Sequence, residues 1–520
     1  MNSVNKLIKE VFENRINVFT NNNSYLKINN SENFGSDSFQ KSISRINENQ
    51  NKKKENGVYY TPEDVACFIT SNCFCRVINS FNKVLSYESC IDYLSKLPLD
   101  AIKNLLFSKT VFDPTSGCGE FLVAAYKIKL CLLEKISENT QQNVLRILST
   151  IYGNDINNES NCIAKLRLIS ISKNYLSKET LEKGVKLINN NFTAFDMLLD
   201  YKKLPHFDFI LGNPPYVEKV KQSRYGNIYA DILDNSCSLL NNEGSIGFII
   251  PVSFVSTTRM YSFRKSMENN FKEITVLNYA DRPACLFNHA HQKLTILFSS
   301  RNSNSHHIFT SKYNYWYKKE RQNLFNNIQT VKLTKEYCGC YPKVSTKLEL
   351  NVLDKIFSNK CSINTLLEQG NGHIFLNMRG YFWMKSFSFN PGSSEYKMFN
   401  CDEKFKWFIL SILNSSLFFF FWVSISDCWH ITSKELKNFF IPSLSNVNLK
   451  RFNYLGKKLE QKLEITKERI GTKQAEYAYK HKFCKDIIDL IDCEIAKLYA
   501  FSDKELDFIK NFSLKYRMGE

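Results

Sequence analysis

The chain has 520 residues, enough for two or three domains with real cores, and its 43% hydrophobic and 23% charged content is that of a globular protein. A formal charge of +18 and a pI near 9.1, with 41 Phe and 26 Tyr interleaved with lysines, favour nucleic acid over a membrane surface as the partner. Sixteen cysteines at irregular spacing, with Cys73/Cys75 and Cys338/Cys340 the closest pairs, argue against a zinc or disulfide framework and read as reduced, buried thiols of a cytoplasmic protein.

Residues 1–19 lack the apolar core of a signal peptide; Val4, Leu7, Ile8, Val11 and Phe12 mark an amphipathic helix. An Asn/Ser/Lys-rich arm leads to Gly57-Val58-Tyr59-Tyr60-Thr61-Pro62-Glu63-Asp64. Thr61 suits an N-cap, Pro62 the first helical position, and the two acids the positive end of the helix dipole.

An apolar strand at 111–113 then ends in Asp113-Pro114-Thr115-Ser116-Gly117-Cys118-Gly119, with a helix expected over 120–134. The third glycine of a dinucleotide fingerprint is missing, its place taken by Leu122, so no pyrophosphate is expected on this turn. An acid at the strand tip suits a ligand with an ammonium group. Residues 151–156 form a second strand tipped by Asp155, the usual position for a ribose partner. Residues 187–196 read as a third, tipped by Asp196.

The fourth strand, 207–211, runs into Asn213-Pro214-Pro215-Tyr216. Two prolines remove backbone donors and stiffen the turn, so the Asn213 amide and adjacent carbonyls stand rigidly at a strand's carboxyl end. Two acceptors beside the Tyr216 ring suit a planar ring with an exocyclic amino group. Successive βα units with acid-tipped strands make the fold class α/β.

A helix at 229–240, a strand at 245–251 and late strands at 274–279 and 294–298 follow. His289 and His291 read as polar loop residues, and no metal is expected. From about residue 300 the composition turns to Tyr, Lys, His and Asn. The uncharged window 407–425 is long enough for a membrane span, but Asn414-Ser415-Ser416 interrupts it as a helix stop and N-cap, which predicts two short buried helices. Residues 449–520 read as helices with basic faces carrying Lys450, Arg451, Lys457, Lys458 and Lys462.

The ordered set Tyr60-Thr61-Pro62, Asp113-Pro114…Gly117-x-Gly119, Asp155, Asp196 and Asn213-Pro-Pro-Tyr216 resembles the gamma-group adenine-N6 DNA methyltransferases of bacterial restriction–modification systems, over residues 57–300. Beyond 300 the resemblance is looser and rests on Leu413-Asn414-Ser415 and Ile441-Pro442. It implies an S-adenosylmethionine-dependent, Rossmann-like sheet with helices on both faces over 57–300, a mixed α+β target-recognition domain with a helical C-terminal part over 301–520, and an N-terminal helix and arm over 1–56.

The resemblance further implies that S-adenosylmethionine lies across the strand tips. Thr61, Asp113, Thr115 and Gly117 would hold its methionine end, Asp155 its ribose, and Asp196 its adenine amino group; Ile156 is the remaining cofactor-binding residue. Asn213 and Pro214 would accept hydrogen bonds from the N6 amino group of a flipped adenine, with Tyr216 and Phe287 stacking on the base. Double-stranded DNA and a separate restriction endonuclease are the implied partners, for a cytoplasmic monomer or dimer. Cys118 and Glu120 depart from the family's usual residues, and the first 56 residues are too few for a fused nuclease. Two alternatives remain: an RNA or protein-glutamine methyltransferase using the same pocket, and a non-catalytic DNA-binding protein on this scaffold.

Overall fold

The computed structural model describes residues 61–78, 83–218, 223–287, 291–302, 305–472 and 475–519, with two short paired strands, Asn17–Phe19 and Tyr25–Lys27. The helix expected near residues 4–12, the Gly57–Tyr60 approach and His289 lie outside the described residues. The chain divides into two units: Met1–Phe254, Arg259–Phe309 and Lys319–Ile328 form the first, and Val255–Thr258, Thr310–Lys318 and Gln329–Glu520 the second.

In the first unit helix α1 (Glu63–Ile78) precedes strand β1 (Val111–Asp113) and α2 (Glu120–Lys135). Then come β2 (Ile151–Asn154), α3 (Asn158–Ser172), α4 (Lys178–Asn191), β3 (Phe192–Thr193), β4 (Phe207–Gly212), α5 (Ile228–Ser238), β5 (Leu240–Pro251), β6 (Glu273–Tyr279) and β7 (Leu294–Ser300). Seven neighbouring strands of its sheet run in the order β6-β7-β5-β4-β1-β2-β3. From β3 to β5 each pair is parallel, whereas β7 is antiparallel to both neighbours. After β1 the chain builds outward through β2 and β3, then returns to lay β4 on the other side. That reversal opens a crevice at the carboxyl ends of β1 and β4, where open α/β sheets bind ligands.

The strands form where apolar runs can be buried on both faces. Every residue of β4 and of β7 is buried. Phe112 of β1 stacks on Phe207 of β4 with ring centroids 4.3 Å apart. Helix α1 lies on β5: Cys73 Sγ is 3.0 Å from Ser245 Oγ, and a Cβ on Gly247 would stand 2.8 Å from Ile69 Cγ2. Burial pushes the Cys73 thiol up to about 12, as expected for an inert core thiol.

Two expectations are corrected. Residues 187–191, read as strand, close helix α4, and β3 is only Phe192–Thr193. Ser177 caps α4, and the buried Leu181, Val185 and Ile188 recur at helical spacing, which outweighs the short apolar pair that suggested a strand. Thr61 does not cap α1. The Pro62 carbonyl accepts from the Val65 and Ala66 N–H groups at 3.1 Å each, and the Thr61 hydroxyl is engaged elsewhere.

In the second unit a three-stranded antiparallel sheet has β8 (Gly372–Asn377) between β9 (Ser386–Phe387) and β10 (Tyr396–Cys401). Helices α6 (Lys406–Leu413), α7 (Ser416–Ile425), α8 (Leu449–Ile465) and α9 (Lys485–Tyr499) follow. The uncharged window is two helices, as its Asn-Ser-Ser interruption predicts. Asn414 ends α6, and Ser415 caps α7 by accepting from the Phe418 N–H at 3.1 Å. Among the described residues no single helix is long and apolar enough to cross a membrane, and α6 and α7 are bent by 57°. All ten residues of α7 are buried.

Asn414 is a hub of this unit. Its Nδ2 donates to Ser386 O (2.9 Å), Ser386 Oγ (2.8 Å) and Leu410 O (3.0 Å), and its Oδ1 accepts from Ser386 N (3.1 Å). This network orients the amide, so Nε2 of the buried His481, 3.1 Å from Oδ1, must carry a proton. Burial depresses the imidazole to about 3 from its ordinary 6.5, so it stays neutral. In acid the unfolded chain takes up a proton near 6.5 that the folded chain accepts only near 3, so stability falls as pH drops through that window. Relative to His481→Gln, the wild-type protein should lose on the order of 2 kcal/mol between about pH 7 and 5 in urea unfolding. Parallel acid profiles for the two proteins would show that the imidazole is not held neutral.

Candidate active site

The carboxyl ends of β1, β2 and β4 meet at the crevice. Asp113 ends β1 and is 1% exposed, and its Oδ1 accepts from the Thr115 N–H at 3.0 Å. Gly212, the last residue of β4, comes close to it: a Cβ there would stand 3.1 Å from that same Oδ1. Burial raises the Asp113 carboxyl well above its ordinary range and the nearby Asp155 charge adds to this, while the Thr115 N–H opposes both. A cationic group placed here would restore the charged form. Thr115 Oγ1 is buried with no hydrogen-bond partner, a polar atom left for a ligand.

The loop after β1 is tied to its neighbours. Asp155, just beyond β2, accepts from the Gly117 N–H (2.8 Å, Oδ2) and the Asn157 N–H (2.8 Å, Oδ1). Burial pushes its carboxyl up against those two bonds. Each carboxylate oxygen has a second lone pair, so Asp155 retains acceptor capacity for a hydroxyl while holding the loop. Ile156 beside it is 71% exposed, an apolar side chain presented outward at the strand tips. Asp196 is half-buried and accepts from the Leu198 N–H (2.8 Å) in a local turn.

Three residues that the sequence reading passed over organise these loops. Buried Asn154 donates through Nδ2 to Pro114 O and Phe195 O, both at 3.0 Å, and accepts from Thr193 Oγ1 (2.7 Å) and Phe195 N (2.8 Å). It thereby stitches the ends of β1, β2 and β3. Asn161 donates to Asp155 O (2.9 Å) and Thr193 O (2.8 Å). One turn on, Ala164 packs so close to Gly119 (φ +83°) that a Cβ there would stand 2.8 Å from it. Arg167, one turn beyond Ala164 on α3, donates to Cys118 O (2.8 Å) and forms a buried two-pronged pair with Glu120. A polar residue directly before the acid that tips a strand is the sequence signal that could have found Asn154. Glu120, which departs from the family pattern, is explained by Arg167.

On the other side of the crevice Asn213 follows β4. Its Nδ2 donates to Thr61 Oγ1 at 3.1 Å, which brings the residue ahead of α1 to the motif and turns Oδ1 away from Thr61. Pro214 is buried, and Tyr216 is half-buried. The Tyr216 hydroxyl donates to Ile249 O on β5 (3.0 Å), and its ring meets Tyr229 edge-on at 6.2 Å. Thr61, Asp113, Thr115, Gly117, Asp155 and Asn213 are thus linked by hydrogen bonds and close approaches around one crevice. Phe287 is 1% exposed, its ring packed in the unit, so stacking on a ligand would require it to be uncovered.

Residues 149–284, a span that includes β2 to β6 and the Asn213–Tyr216 motif, match the family described as Eco57I restriction-modification methylase. The type II methyltransferase M.BstVI of Geobacillus stearothermophilus is 28% identical over 181 residues, covering 31% of this chain and 32% of that protein. The putative type II restriction enzyme and methyltransferase RM.MjaORFECS2P of Methanocaldococcus jannaschii is 37% identical over 71 residues, 12% of this chain and 6% of that protein. The chain therefore spans about a third of the first relative and a small part of the second. In fold it is similar to the type IIL restriction-modification enzyme MmeI, solved in complex with DNA. The TM-score is 0.52 at 14% identity, over 90% of this chain and 79% of that one. The resemblance to restriction–modification methyltransferases drawn from the motifs, and the α/β fold, are both borne out.

Removing one member of the Glu120–Arg167 pair strands a buried charge. Arg167→Met should cost about 3–5 kcal/mol in urea unfolding and speed hydrogen exchange at Gly117 and Gly119. Adding Glu120→Gln should recover much of that loss, because no buried charge is then unpaired. A single variant as stable as wild type would mean the pair does not hold the loop.

Proposed function

We propose that this chain is a site-specific DNA methyltransferase that moves a methyl group from S-adenosylmethionine to the N6 amino group of an adenine flipped out of duplex DNA. The observation that carries this reading is the rigid Asn213-Pro214-Pro215-Tyr216 turn at the carboxyl end of β4, across the sheet's reversal point from buried Asp113. Residues fit the cofactor on chemical grounds. A buried acid awaits a cation, Thr115 Oγ1 lacks a partner, and around Gly117 a Cβ would meet nothing within 4 Å. Asp113 would take the ammonium of the methionine end, with Thr61, Thr115 and Gly117 beside it; Asp155 and Ile156 would face the ribose, and Asp196 the adenine amino group. When bound, S-adenosylmethionine supplies a methyl carried on positively charged sulfur.

The chain's own contribution is positioning and polarisation. Asn213 Oδ1 and the Pro214 carbonyl accept the two N6 hydrogens, which draws the nitrogen's lone pair out of the ring and toward the methyl carbon. Charge developing on that nitrogen is stabilised by acceptors already in place. Thr61 fixes the Asn213 amide so that its oxygen, not its nitrogen, is offered. Tyr216 supplies a stacking face, held by its bond to Ile249. The second unit, with its antiparallel sheet and basic helices, reads the target sequence, and double-stranded DNA is the substrate. Expression in a host lacking adenine methylation, followed by mapping of N6-methyladenine along its genome, tests the whole reading; no new N6-methyladenine would overturn it.

Asn213→Ala should lower kcat a hundredfold or more, about 3 kcal/mol, with S-adenosylmethionine affinity nearly intact. Tyr216→Ala should weaken capture of the flipped base by about 1–3 kcal/mol. Tyr216→Phe keeps the ring but strands the Ile249 carbonyl, a stability loss of about 1 kcal/mol with turnover retained. Methyl-transfer assays on duplex DNA, with melting curves in parallel, separate these outcomes.

A pH signature follows from Asp113. A cation beside it lowers its raised pKa, so binding releases a proton and S-adenosylmethionine affinity should rise with pH until Asp113 is ionised in the free protein. Calorimetry in buffers of different ionisation enthalpy should show that release in wild type and not in Asp113→Asn. Equal proton release by the two would remove Asp113 from the ammonium site.

A further inference from the structure

Helix α8 (Leu449–Ile465) has two unlike faces. Phe452, Leu455, Gly456, Leu459 and Leu463 are buried. Phe452 meets Phe408 edge-on at 5.1 Å, and a Cβ on Gly456 would stand 3.1 Å from Trp407 Cε3, so α8 is clamped hard against α6. The opposite face carries Lys450, Tyr454, Lys457 and Lys458, all exposed, with Arg451 half-buried beside them. Arg451 lies 5.7 Å and Lys458 Nζ 5.8 Å from the centroid of the Tyr454 ring, which is 55% exposed.

The charge on this face is not cancelled locally. The helix holds five basic residues and two acids. Glu460 turns inward to accept from Ser388 N and Oγ, both at 2.7 Å, and Glu464 pairs with Lys467 at 2.6 Å. Arg451 and Lys462 have acidic neighbours, Glu494 (3.7 Å) and Asp486 (2.7 Å). Among the described residues, Lys450, Lys457 and Lys458 take part in no ion pair. Three cations without acidic partners on a rigid helix, with an exposed aromatic ring between them, call for a polyanion with flat or apolar surface between its charges.

The spacing selects the polyanion. Lys450 and Lys458 are eight residues apart, so along the helix their Cα atoms are separated by about 12 Å. The major groove of B-DNA is about 12 Å wide, so a helix laid across it brings its two ends over opposite phosphate strands, within reach of lysine side chains. We propose that the exposed face of α8 grips duplex DNA across its major groove, with Lys450 on one phosphate strand, Lys457 and Lys458 on the other, and Tyr454 between them. This rests on the DNA methyltransferase reading and identifies where on the second unit the substrate is held.

Fluorescence anisotropy of a labelled mixed-sequence duplex, read across a series of salt concentrations, tests it. The triple variant Lys450→Gln, Lys457→Gln, Lys458→Gln should bind at least about tenfold more weakly, and its plot of log affinity against log salt should be shallower by about 2.7, or about 0.9 per lost phosphate contact. The triple Lys→Arg variant should retain the wild-type slope, and Tyr454→Ala should weaken binding while leaving the slope in place. A Gln variant that melts like wild type and keeps the wild-type slope overturns the assignment of α8, even if the protein methylates DNA. Tighter binding to single-stranded RNA or anionic vesicles through the same lysines overturns duplex DNA as its partner. Absence of methyl transfer to DNA by wild type defeats the function itself, an outcome distinct from the other two.

Discussion

A carboxylate buried at the tip of a strand is costly unless something is arranged to meet it, and the first unit is built around that cost at Asp113. Gly212 on the next strand has no side chain, so its backbone passes within reach of Oδ1. The Thr115 N–H supplies a single hydrogen bond, too little to restore the ordinary ionisation. Asp155 adds a second, half-buried acid nearby, itself occupied in holding Gly117. The crevice is therefore electrostatically unfinished: burial raises both carboxyls despite the hydrogen bonds they accept. Such an imbalance in a cleft is a mark of a ligand site.

That imbalance can persist because the surrounding loops are over-determined. Asn154, Asn161 and Arg167 bind carbonyls of three strand-end segments, and each sits where a loop would otherwise carry unpaired backbone groups. Thr61 does the same for the Asn213 amide by fixing which end is donor. The second unit uses a comparable device away from any crevice. Asn414 satisfies the groups where α6 ends, joins them to β9, and holds a neutral imidazole. In each unit a buried amide does work that apolar packing cannot, because an amide side chain has both donors and acceptors and lies in a plane.

Much of this was legible in the chain itself. The acids that close the first two strands, the Pro-Pro turn and the Asn-Ser-Ser break between two apolar helices are local signals, written in residues a few positions apart. They survive into the structure because local sterics act the same way in any context. Other readings gave way to long-range contacts. Residues 187–191 look like strand in isolation, yet their burial follows the helical face begun by Leu181. Thr61 is a good cap by type, but its hydroxyl bonds an amide 152 residues away. Phe287 stands in a loop with polar neighbours and is nonetheless packed.

By itself, then, the sequence determined most of the strands and helices around the crevice, and that Asp113, Asp155 and Asn213 stand at their tips, since turn stiffness and apolar period are set by neighbours in the chain. Only the tertiary structure decided that Arg167 answers the buried Glu120, that Gly212 gives way to Asp113, and that Lys450, Lys457 and Lys458 are left without acidic partners in the ion pairs formed by the described residues. The reason is physical. Pairing, burial and the free energy of a charge depend on distances between residues remote in sequence, and those distances exist only once the sheet has reversed its order and the helices have packed.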